Sequence, residues 1–325
     1  MPQDNLVILL PVYDDWDALG ALLERIAGVL AQADLRATVV VLDDASTAPP
    51  AFPWPDDPVL AGGRLVALRR NLGHQRAIAI GLAYVHESFP GATTVVMDAD
   101  GEDDPADIPR LLAAGAQAGG RHIVFAQRWR RSERLVFQLF YQLYRGAHWV
   151  LTGIPVKVGN YSVVPYACLE RLVVVSELWS HYAAAVFKAK IPYLSVPTTR
   201  ARRIAGESKM RFVNLVVHGL TAIAVFSDVV GVRLLIASSV LLALTLGALF
   251  AAPSYLPVAQ AVPAVAGALV AGLLILLQAT AIAAVFVFVI LAGRQNMAFL
   301  PIRDHCYFIR RVTELPLPAE AGDPA

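Results

Sequence analysis

Two aspartates separated by a single residue are the part of this sequence best suited to chemistry. Asp98 and Asp100 follow the apolar run at 94–97, and Glu102 lies two residues further on. Carboxylates that converge where a strand opens into a loop can hold a hard divalent cation, which keeps positions free for phosphate oxygens. Such a cation would stabilise the charge that develops as a diphosphate leaves. The pattern predicts a Mg²⁺ or Mn²⁺ site at Asp98, Asp100 and Glu102.

Two further apolar runs also lead into aspartates. The run at 6–10 is followed by Asp14, and the run at 38–42 is followed by Asp43 and Asp44. A lone aspartate in such a place often only caps the next helix. Ligands of parallel sheets, however, bind beyond the carboxyl ends of the strands, where these aspartates lie. Acidic residues after three strands therefore favour a ligand site.

The elements that must position these residues alternate along the first 200 residues. Apolar runs with strand character lie at 6–10, 38–42, 65–68, 94–97 and 122–125. Segments with helical character lie near residues 16–32, 74–88 and 105–118. This alternation predicts an α/β fold with a mostly parallel sheet and helices on both faces.

The composition points to a membrane. The apolar fraction is 57%, and the formal charge of +1 gives no electrostatic reason to bind nucleic acid. From Leu234 to Gly293 the sequence contains no charged residue and no histidine, and prolines near residue 255 interrupt this stretch. We predict a hairpin of two transmembrane helices, at about 233–252 and 263–292. A buried helical hairpin in a soluble protein is the alternative.

Arginines and lysines on both sides of the hairpin predict that both termini are cytoplasmic, in a multi-pass protein of the inner (cytoplasmic) membrane. The N-terminus lacks the features of a signal peptide, and the two cysteines are expected to be reduced thiols. The predicted organisation is an α/β domain at 1–211, an amphipathic juxtamembrane helix at 212–232, the hairpin at 233–293 and a cytoplasmic tail at 294–325. A packing helix is the alternative for 212–232.

Four motifs occur in order at plausible spacing: Leu9-Leu10-Pro11-Val12-Tyr13, Leu42-Asp43-Asp44-Ala45-Ser46-Thr47, Asn71-Leu72-Gly73-His74-Gln75-Arg76-Ala77 and Met97-Asp98-Ala99-Asp100. Together they resemble glycosyltransferase family 2, over roughly residues 6–215. The resemblance implies the Rossmann-like GT-A fold and inverting transfer of a sugar from a nucleotide-diphosphate donor.

A later motif narrows the resemblance. The sequence Arg203-Ile204-Ala205-Gly206-Glu207-Ser208-Lys209-Met210 is similar to the R-x-x-G-x-S-K element of the polyprenyl-phosphate branch of the family. That branch includes dolichyl-phosphate mannose synthases and bactoprenol glucosyltransferases. The resemblance implies a polyprenyl phosphate acceptor, with Arg203, Ser208 and Lys209 on phosphate oxygens. A basic cluster attracted to anionic lipid is the alternative for these residues.

The resemblance also implies roles for residues that contact a UDP- or GDP-sugar. They are Pro11, Tyr13, Asp14, Asp43, Asp44, Asn71, Asp98, Arg128 and Arg131. Within this set Asp43 would accept a hydrogen bond from the base and Asp44 would support its loop. Arg128 and Arg131 could instead be solvated. For His74 and Gln75, packing or capping is favoured over contact with phosphate.

One residue departs from the family pattern. Asn160 stands where many relatives carry aspartate, and an amide cannot act as a base. If the acceptor is a phosphate, it is largely ionised at neutral pH, so Asn160 need only orient it. If the acceptor is a hydroxyl, another carboxylate must serve as the base, and Asp100 and Glu102 are the nearest candidates. The implied catalytic set is therefore Asp100, Asn160, Arg203 and Lys209.

The sequence thus predicts a membrane-anchored, metal-dependent glycosyltransferase that acts on polyprenyl phosphate. Two alternatives stay open: a polysaccharide synthase, although a Q-x-x-R-W element is missing from the sequence, and an inert scaffold that binds nucleotide sugars. A homo-oligomer formed through the hairpin is also possible.

Overall fold

The computed structural model describes residues 5–128, 135–154, 158–199, 201, 203–204, 212–255, 262–294 and 299–316. The chain divides into two compact units. The first is built from the described parts of 1–138, 157–225 and 298–325, and the second from those of 139–156 and 226–297.

One sheet organises the first unit. In chain order, the strands of the described chain are β1 (Leu6–Val12), β2 (Ala37–Asp43), β3 (Leu60–Leu68), β4 (Thr93–Val96), β5 (Ile123–Arg128), β6 (Ser162–Val164), β7 (Tyr193–Thr198) and β8 (Ile309–Leu315). Their spatial order is β7-β5-β6-β4-β1-β2-β3-β8. Strand β1 pairs in parallel with β2 and β4, whereas β6 and β8 run antiparallel to their neighbours. The carboxyl ends of β4, β1 and β2 therefore lie side by side.

Helices cover both faces of this sheet. The helices of the first unit that pack on it or follow it are α1 (Trp16–Gln32), α2 (His74–Ser88), α3 (Ile108–Gln117), α5 (Tyr166–Leu172), α6 (Tyr182–Lys188), α7 (Phe212–Ala224) and α10 (Pro301–Asp304). Alternate residues of β1 enter opposite cores: Val7 and Leu9 pack with α2, α5 and α6, whereas Ile8 and Leu10 pack with α1 and α3. A strand buried on both faces needs such a continuous apolar run.

The predicted fold class is confirmed. All five predicted strands are present, and the helices predicted at 16–32 and 74–88 have the same bounds as α1 and α2. The segment predicted at 105–118 begins with a short 3-10 turn, Pro105–Asp107, and continues as α3. The apolar periodicity of these segments was sufficient to predict them as helices, because each one packs directly on the sheet.

The segment after residue 294 differs from the predicted tail. Residues 309–315 form β8, which pairs antiparallel with β3 at the edge of the sheet. Ahead of β8 in the chain, α10 packs on α2. The ring of Phe299 packs on that of Trp179, with 3.9 Å between the two ring centroids. This segment is therefore part of the α/β unit rather than a separate tail.

Two long apolar helices dominate the second unit, which also contains most of α4 (Leu135–Thr152). They are α8 (Ser227–Tyr255) and α9 (Val262–Arg294), and they pack against each other. Each contains a stretch long and apolar enough to cross a membrane, at Ser227–Gly247 and Gly267–Phe286. Only 11% and 6% of these stretches are buried within the protein, unlike the core helices of soluble proteins.

These helices fit the predicted hairpin, with shifted bounds. Helix α8 begins at Ser227 rather than at residue 233, because it includes Asp228 and Arg233 before its apolar part. The helix predicted at 212–232 accordingly ends earlier, as α7 at Ala224.

We expect the change Gly63→Ala to destabilise the protein by about 1–3 kcal/mol, because the added methyl group overpacks a rigid site. A Cβ atom at Gly63 would lie 2.6 Å from the backbone oxygen of Val39 and 2.8 Å from the Trp54 ring. Gly28→Ala is the matched control, since a Cβ atom there meets no atom within 4 Å in α1. Thermal unfolding of the full chain in detergent measures both changes, and equal melting temperatures would contradict the prediction.

Candidate active site

The loops that follow β1, β2 and β4 bring acidic residues to one edge of the sheet. These residues are Asp14, Asp15, Asp43, Asp44, Asp98 and Asp100. Because the three strands are adjacent and parallel, their carboxyl ends place the aspartates in one region, as the sequence predicts.

Two of these carboxylates stabilise the loop after β2 by accepting hydrogen bonds from its backbone. Asp14 has a left-handed conformation (φ 48°) and accepts hydrogen bonds from the backbone N–H groups of Thr47 (2.7 Å) and Ala48 (3.1 Å). Asp43 is buried and accepts a hydrogen bond from the Ser46 N–H (2.8 Å). Both residues therefore help to build the loop beside the site, and their contact with a nucleotide stays a prediction.

Asp44 connects this loop to the start of α2. Its Oδ1 accepts a hydrogen bond from the Leu72 N–H (2.7 Å), and its Oδ2 accepts one from the Gly73 N–H (2.8 Å). Burial raises the pKa of the Asp44 carboxyl, and these two hydrogen bonds only partly oppose that rise. Gly73 has a positive φ of 86° and directly precedes His74, the first residue of α2. Asp44 thus sets where α2 begins beside the site.

The change Asp44→Asn is expected to lower the free energy of unfolding by about 1–3 kcal/mol, because one side-chain NH₂ group would face a buried N–H donor. The expected result is a lower melting temperature for the full chain. The matched control is Asp56→Asn, an exposed aspartate, for which we expect a change within about 0.5 kcal/mol. A melting temperature for Asp44→Asn equal to that of the control would show that the loop does not depend on these two hydrogen bonds.

Three other residues predicted to line the nucleotide differ in their exposure. Tyr13 is 39% exposed and Asn71 is also exposed, so both can be reached by a ligand. Pro11 is buried within the central strand β1. The contact of Pro11 with the base therefore stays a prediction.

The first carboxylate of the predicted metal pair faces a histidine. The Nε2 atom of His74 lies 3.0 Å from Oδ1 of Asp98, and the Asp98 N–H donates to Oδ2 of the buried Asp103 (3.0 Å). Burial lowers the pKa of His74, but the charges of Asp98, Asp103 and Asp100 outweigh it, and the net pKa is above the ordinary value. The negative charge around Asp98 thus attracts a cationic group.

The second carboxylate of the pair, that of Asp100, faces Arg203, which lies far from it in the sequence. Arg203 donates through Nη1 to Oδ2 of Asp100 (3.0 Å) and through Nη2 to Oδ2 of Asp15. Burial and then the charge of Asp98 raise the pKa of Asp100, and Arg203 offsets this only in part. Arg203 therefore contacts the predicted metal pair through Asp100.

The donor set suits a divalent cation with two protein carboxylates. No group of three acidic, histidine or cysteine side chains suited to metal binding occurs among the described residues. The backbone N–H of Glu102 donates to Oδ1 of Asp100 (3.0 Å), and the role of the Glu102 carboxylate as a third ligand stays a prediction. Mg²⁺ sites commonly use one or two carboxylates together with phosphate oxygens. Burial, and after it the charge of Asp98, raises the pKa of Asp100, and a cation would relieve the repulsion between the two carboxylates.

Asn160 contacts His74, the residue that faces Asp98. Its Nδ2 atom is 3.0 Å from Nε2 of His74, and its Oδ1 accepts a hydrogen bond from Nε2 of Gln75 (3.0 Å). The Oε1 atom of Gln75 in turn accepts the backbone N–H of Tyr182 (2.7 Å). The residue that replaces the usual aspartate is therefore held by the start of α2.

Some predicted residues cannot be placed. Arg131, Ser208 and Lys209 lie outside the described residues, and the side chain of Arg128, at the end of β5, is likewise not described.

Sequence reasoning missed three members of this site. His74 and Gln75 were expected to pack or cap, but they contact Asp98 and Asn160, and Asp15 was given no role of its own. One signal was available: a helix that begins after Gly73, at the carboxyl edge of the sheet, directs its first side chains toward that edge.

Part of this chain is similar in sequence to a known protein family. Residues 7–163 match the model of the family Glycosyl transferase family 2. An undecaprenyl-phosphate 4-deoxy-4-formamido-L-arabinose transferase from Edwardsiella ictaluri is 27% identical over 254 residues, which cover 69% of this chain and 71% of that protein. A protein of the same name from Pseudomonas syringae is 29% identical, and the alignment covers 68% of this chain and 66% of that one.

Among solved structures, glucosyl-3-phosphoglycerate synthase from Mycobacterium tuberculosis, in complex with Mn²⁺, UDP and phosphoglyceric acid, is similar with a TM-score of 0.48. It is 17% identical and the match covers 70% of this chain and 79% of that one. The family match spans β1 to β6 and contains the aspartates of the three strand ends. Residues 7–163, just under half of this chain, are thus similar to glycosyl transferase family 2, and the chain is a glycosyltransferase with the α/β fold expected from that resemblance.

Proposed function

We propose that this glycosyltransferase moves a sugar from a nucleotide-diphosphate donor, a UDP- or GDP-sugar, to a polyprenyl phosphate, with inversion at the anomeric carbon. The observation that carries the proposal is one edge of the sheet at which Asp98, Asp100, Arg203 and Asn160 converge. The names of the relatives, which act on undecaprenyl phosphate, support the acceptor class.

Asp98 and Asp100 would hold Mg²⁺ or Mn²⁺. When bound, the cation would neutralise the negative charge of the diphosphate that leaves. Tyr13 and Asn71 are exposed at the same edge and are available to the nucleotide. Arg203, whose guanidinium group already lies between two carboxylates, can turn to a phosphate oxygen because it offers several N–H donors in a planar fork.

The side chain of Asn160 supports a phosphate acceptor. A hydroxyl acceptor must lose a proton, and an amide cannot take it. A phosphate monoester has its second pKa at about 6 and is mostly a dianion at neutral pH. An oxygen of the phosphate would attack the anomeric carbon as the bond to the donor's diphosphate breaks, and the nucleoside diphosphate leaves with the electron pair.

The two apolar helices support a lipid acceptor. Their exposed side chains include Leu244, Ile275 and Val289, each more than 60% exposed. Such a surface needs hydrocarbon around it. Arginines flank the apolar region on both sides, and we propose that both flanks, and with them the catalytic domain, are at the cytoplasmic face.

The test uses the full chain, purified in detergent, with Mn²⁺, undecaprenyl phosphate and a panel of radiolabelled UDP- and GDP-sugars. We expect an organic-extractable labelled product from at least one donor, with one nucleoside diphosphate released per sugar transferred. A long labelled polymer would support a polysaccharide synthase instead. Nucleotide binding without any product across the panel would support the inert scaffold.

A further inference from the structure

We infer that α9 pairs with α9 of a second copy of this chain inside the membrane, and that the side chain of Gln278 joins the two helices. The inference rests on the membrane placement of α9 that the proposed function uses. It does not depend on the sugar, the acceptor or the metal, because the surface that it names lies outside the catalytic site.

Gln278 lies at the middle of α9. The helix runs from Val262 to Arg294, and Gln278 is equally far from both ends. At 1.5 Å per residue, each end is about 24 Å away along the helix axis, whereas the hydrocarbon core of a bilayer is about 30 Å thick. A helix centred in the bilayer therefore carries the amide of Gln278 at the most apolar depth.

Gln278 differs from the threonines of the two apolar helices in how its polar group is satisfied. Thr245 and Thr280 each donate a hydroxyl hydrogen, at 2.8 Å, to the backbone oxygen four residues earlier in the same helix. Gln278 is exposed, and no described residue forms a hydrogen bond with its amide. Hydrocarbon offers no partner for the two N–H donors and the carbonyl oxygen of an amide. The amide therefore needs a partner that the described hairpin does not supply.

The side of α9 that carries Gln278 is opposite to the buried side of the helix. Helices α8 and α9 pack against each other, and Ala283 is buried among the α9 side chains that the structure describes. At about 100° per residue, Ala283 is about 140° around the helix from Gln278. The side with Gln278 is therefore open to a neighbour in the membrane.

This open side has the spacing of a contact between two helices. Exposed residues recur at alternating intervals of four and three, the heptad repeat of helices that cross at a small angle. Three of them are glycine or alanine, which let two backbones approach closely. We call this row the α9 seam, and its residues are Gly267, Ala271, Leu274, Gln278, Ala281 and Val285.

A second copy of the chain is the partner that matches Gln278 by symmetry. Two copies have the same orientation in the membrane, so their α9 helices are parallel. A two-fold axis along the membrane normal then places each seam residue opposite its own equivalent. Each Gln278 amide can donate an N–H group to the carbonyl oxygen of the other amide and accept one in return. A polar residue in a heptad seam also fixes the register of the pair.

The first test measures the oligomeric state of the full chain in lipid vesicles of fixed composition, by single-molecule photobleaching over a range of protein-to-lipid ratios. We expect a dimer for the wild type. Gln278→Leu should raise the dissociation constant of the dimer about 5- to 100-fold, because the hydrogen bonds between the helices are lost. Gln278→Asn keeps an amide and should retain most of the dimer. Thr280→Val removes a hydroxyl that is bonded within its own helix, so this matched control should dimerise like the wild type.

Disulfide cross-linking locates the contact. The background is a chain with Cys168→Ala and Cys306→Ser, which removes both free cysteines. Ala281→Cys lies in the α9 seam, whereas Ala279→Cys, at an exposed position, is about 160° around the helix from it. We expect covalent dimers from Ala281→Cys alone, and a lower yield when Gln278→Leu is added.

A wild type that is monomeric at every protein-to-lipid ratio would overturn the inference. A dimer of Gln278→Leu as stable as that of the wild type, or equal cross-linking at positions 279 and 281, would overturn it as well. Extraction of the chain from membranes by alkaline carbonate would overturn both the inference and the membrane placement. Neither measurement uses a donor or an acceptor, so a failure of the proposed reaction is seen separately, in the transfer assay.

Discussion

Replacing Asp98 by asparagine is expected to lower kcat/KM for sugar transfer by about 1,000-fold, because the loss of a ligand to the cation removes several kcal/mol of transition-state stabilisation. The same change removes the carboxylate that faces Nε2 of His74 at 3.0 Å. An asparagine has nearly the same shape, so the fold should be retained.

The experiment compares Asp98→Asn with Asp34→Asn at saturating Mn²⁺. Asp34 is an exposed residue with a positive φ of 51°, a conformation that asparagine tolerates well. Titration calorimetry of Mn²⁺ with the nucleoside diphosphate should show weaker binding only for Asp98→Asn, and EDTA should abolish transfer by the wild type. Full activity of Asp98→Asn would remove Asp98 from the metal site.

Replacing Arg203 by methionine is expected to change two measurements in opposite directions. Arg203 pairs with Asp100 and Asp15, so in the absence of donor it competes with a cation for the carboxylate of Asp100. Without that positive charge, Mn²⁺ alone should bind severalfold more tightly. Transfer should nevertheless fall about 100-fold, since the arginine no longer stabilises charge on phosphate.

Two further variants test whether the loss of transfer depends on the shape of the Arg203 side chain and is specific to this position. Arg203→Lys keeps the charge but loses the planar fork, and we expect an intermediate loss of transfer. Arg25→Met, which removes an exposed partner of Asp104, is the matched control. Weaker binding of Mn²⁺ alone to Arg203→Met would contradict the competition that the geometry implies.

The parts of the fold that the sequence predicts best are the buried elements, because burial requires a regular pattern of apolar residues. The strands β1 and β2 are largely apolar runs because both of their faces are covered. Strand β6 has only three residues and β8 is an edge strand with exposed Arg310 and Arg311, so neither shows that pattern. A strand of this kind is defined by its neighbour, which a local pattern does not show.

The residues of the candidate site also differ in how well the sequence predicts them. The aspartates were predictable because they follow strands directly. The pairing of Arg203 with Asp100 and that of Gln75 with Asn160 depend on residues distant in sequence that the sheet brings together. Spacing along the chain carries no information about such contacts, and the family motif suggested phosphate contact for Arg203 without its carboxylate partners.

The position of β8 has a consequence for how the protein is made. Because residues 309–315 follow α8 and α9 in the chain, the ribosome releases them only after both apolar helices have been synthesised. Until then the outer edge of β3 has no strand partner, and an open edge favours aggregation. A soluble catalytic domain should therefore be produced by replacing the helices with a flexible linker that keeps residues 299–316, since truncation before α8 would leave the sheet without its last strand.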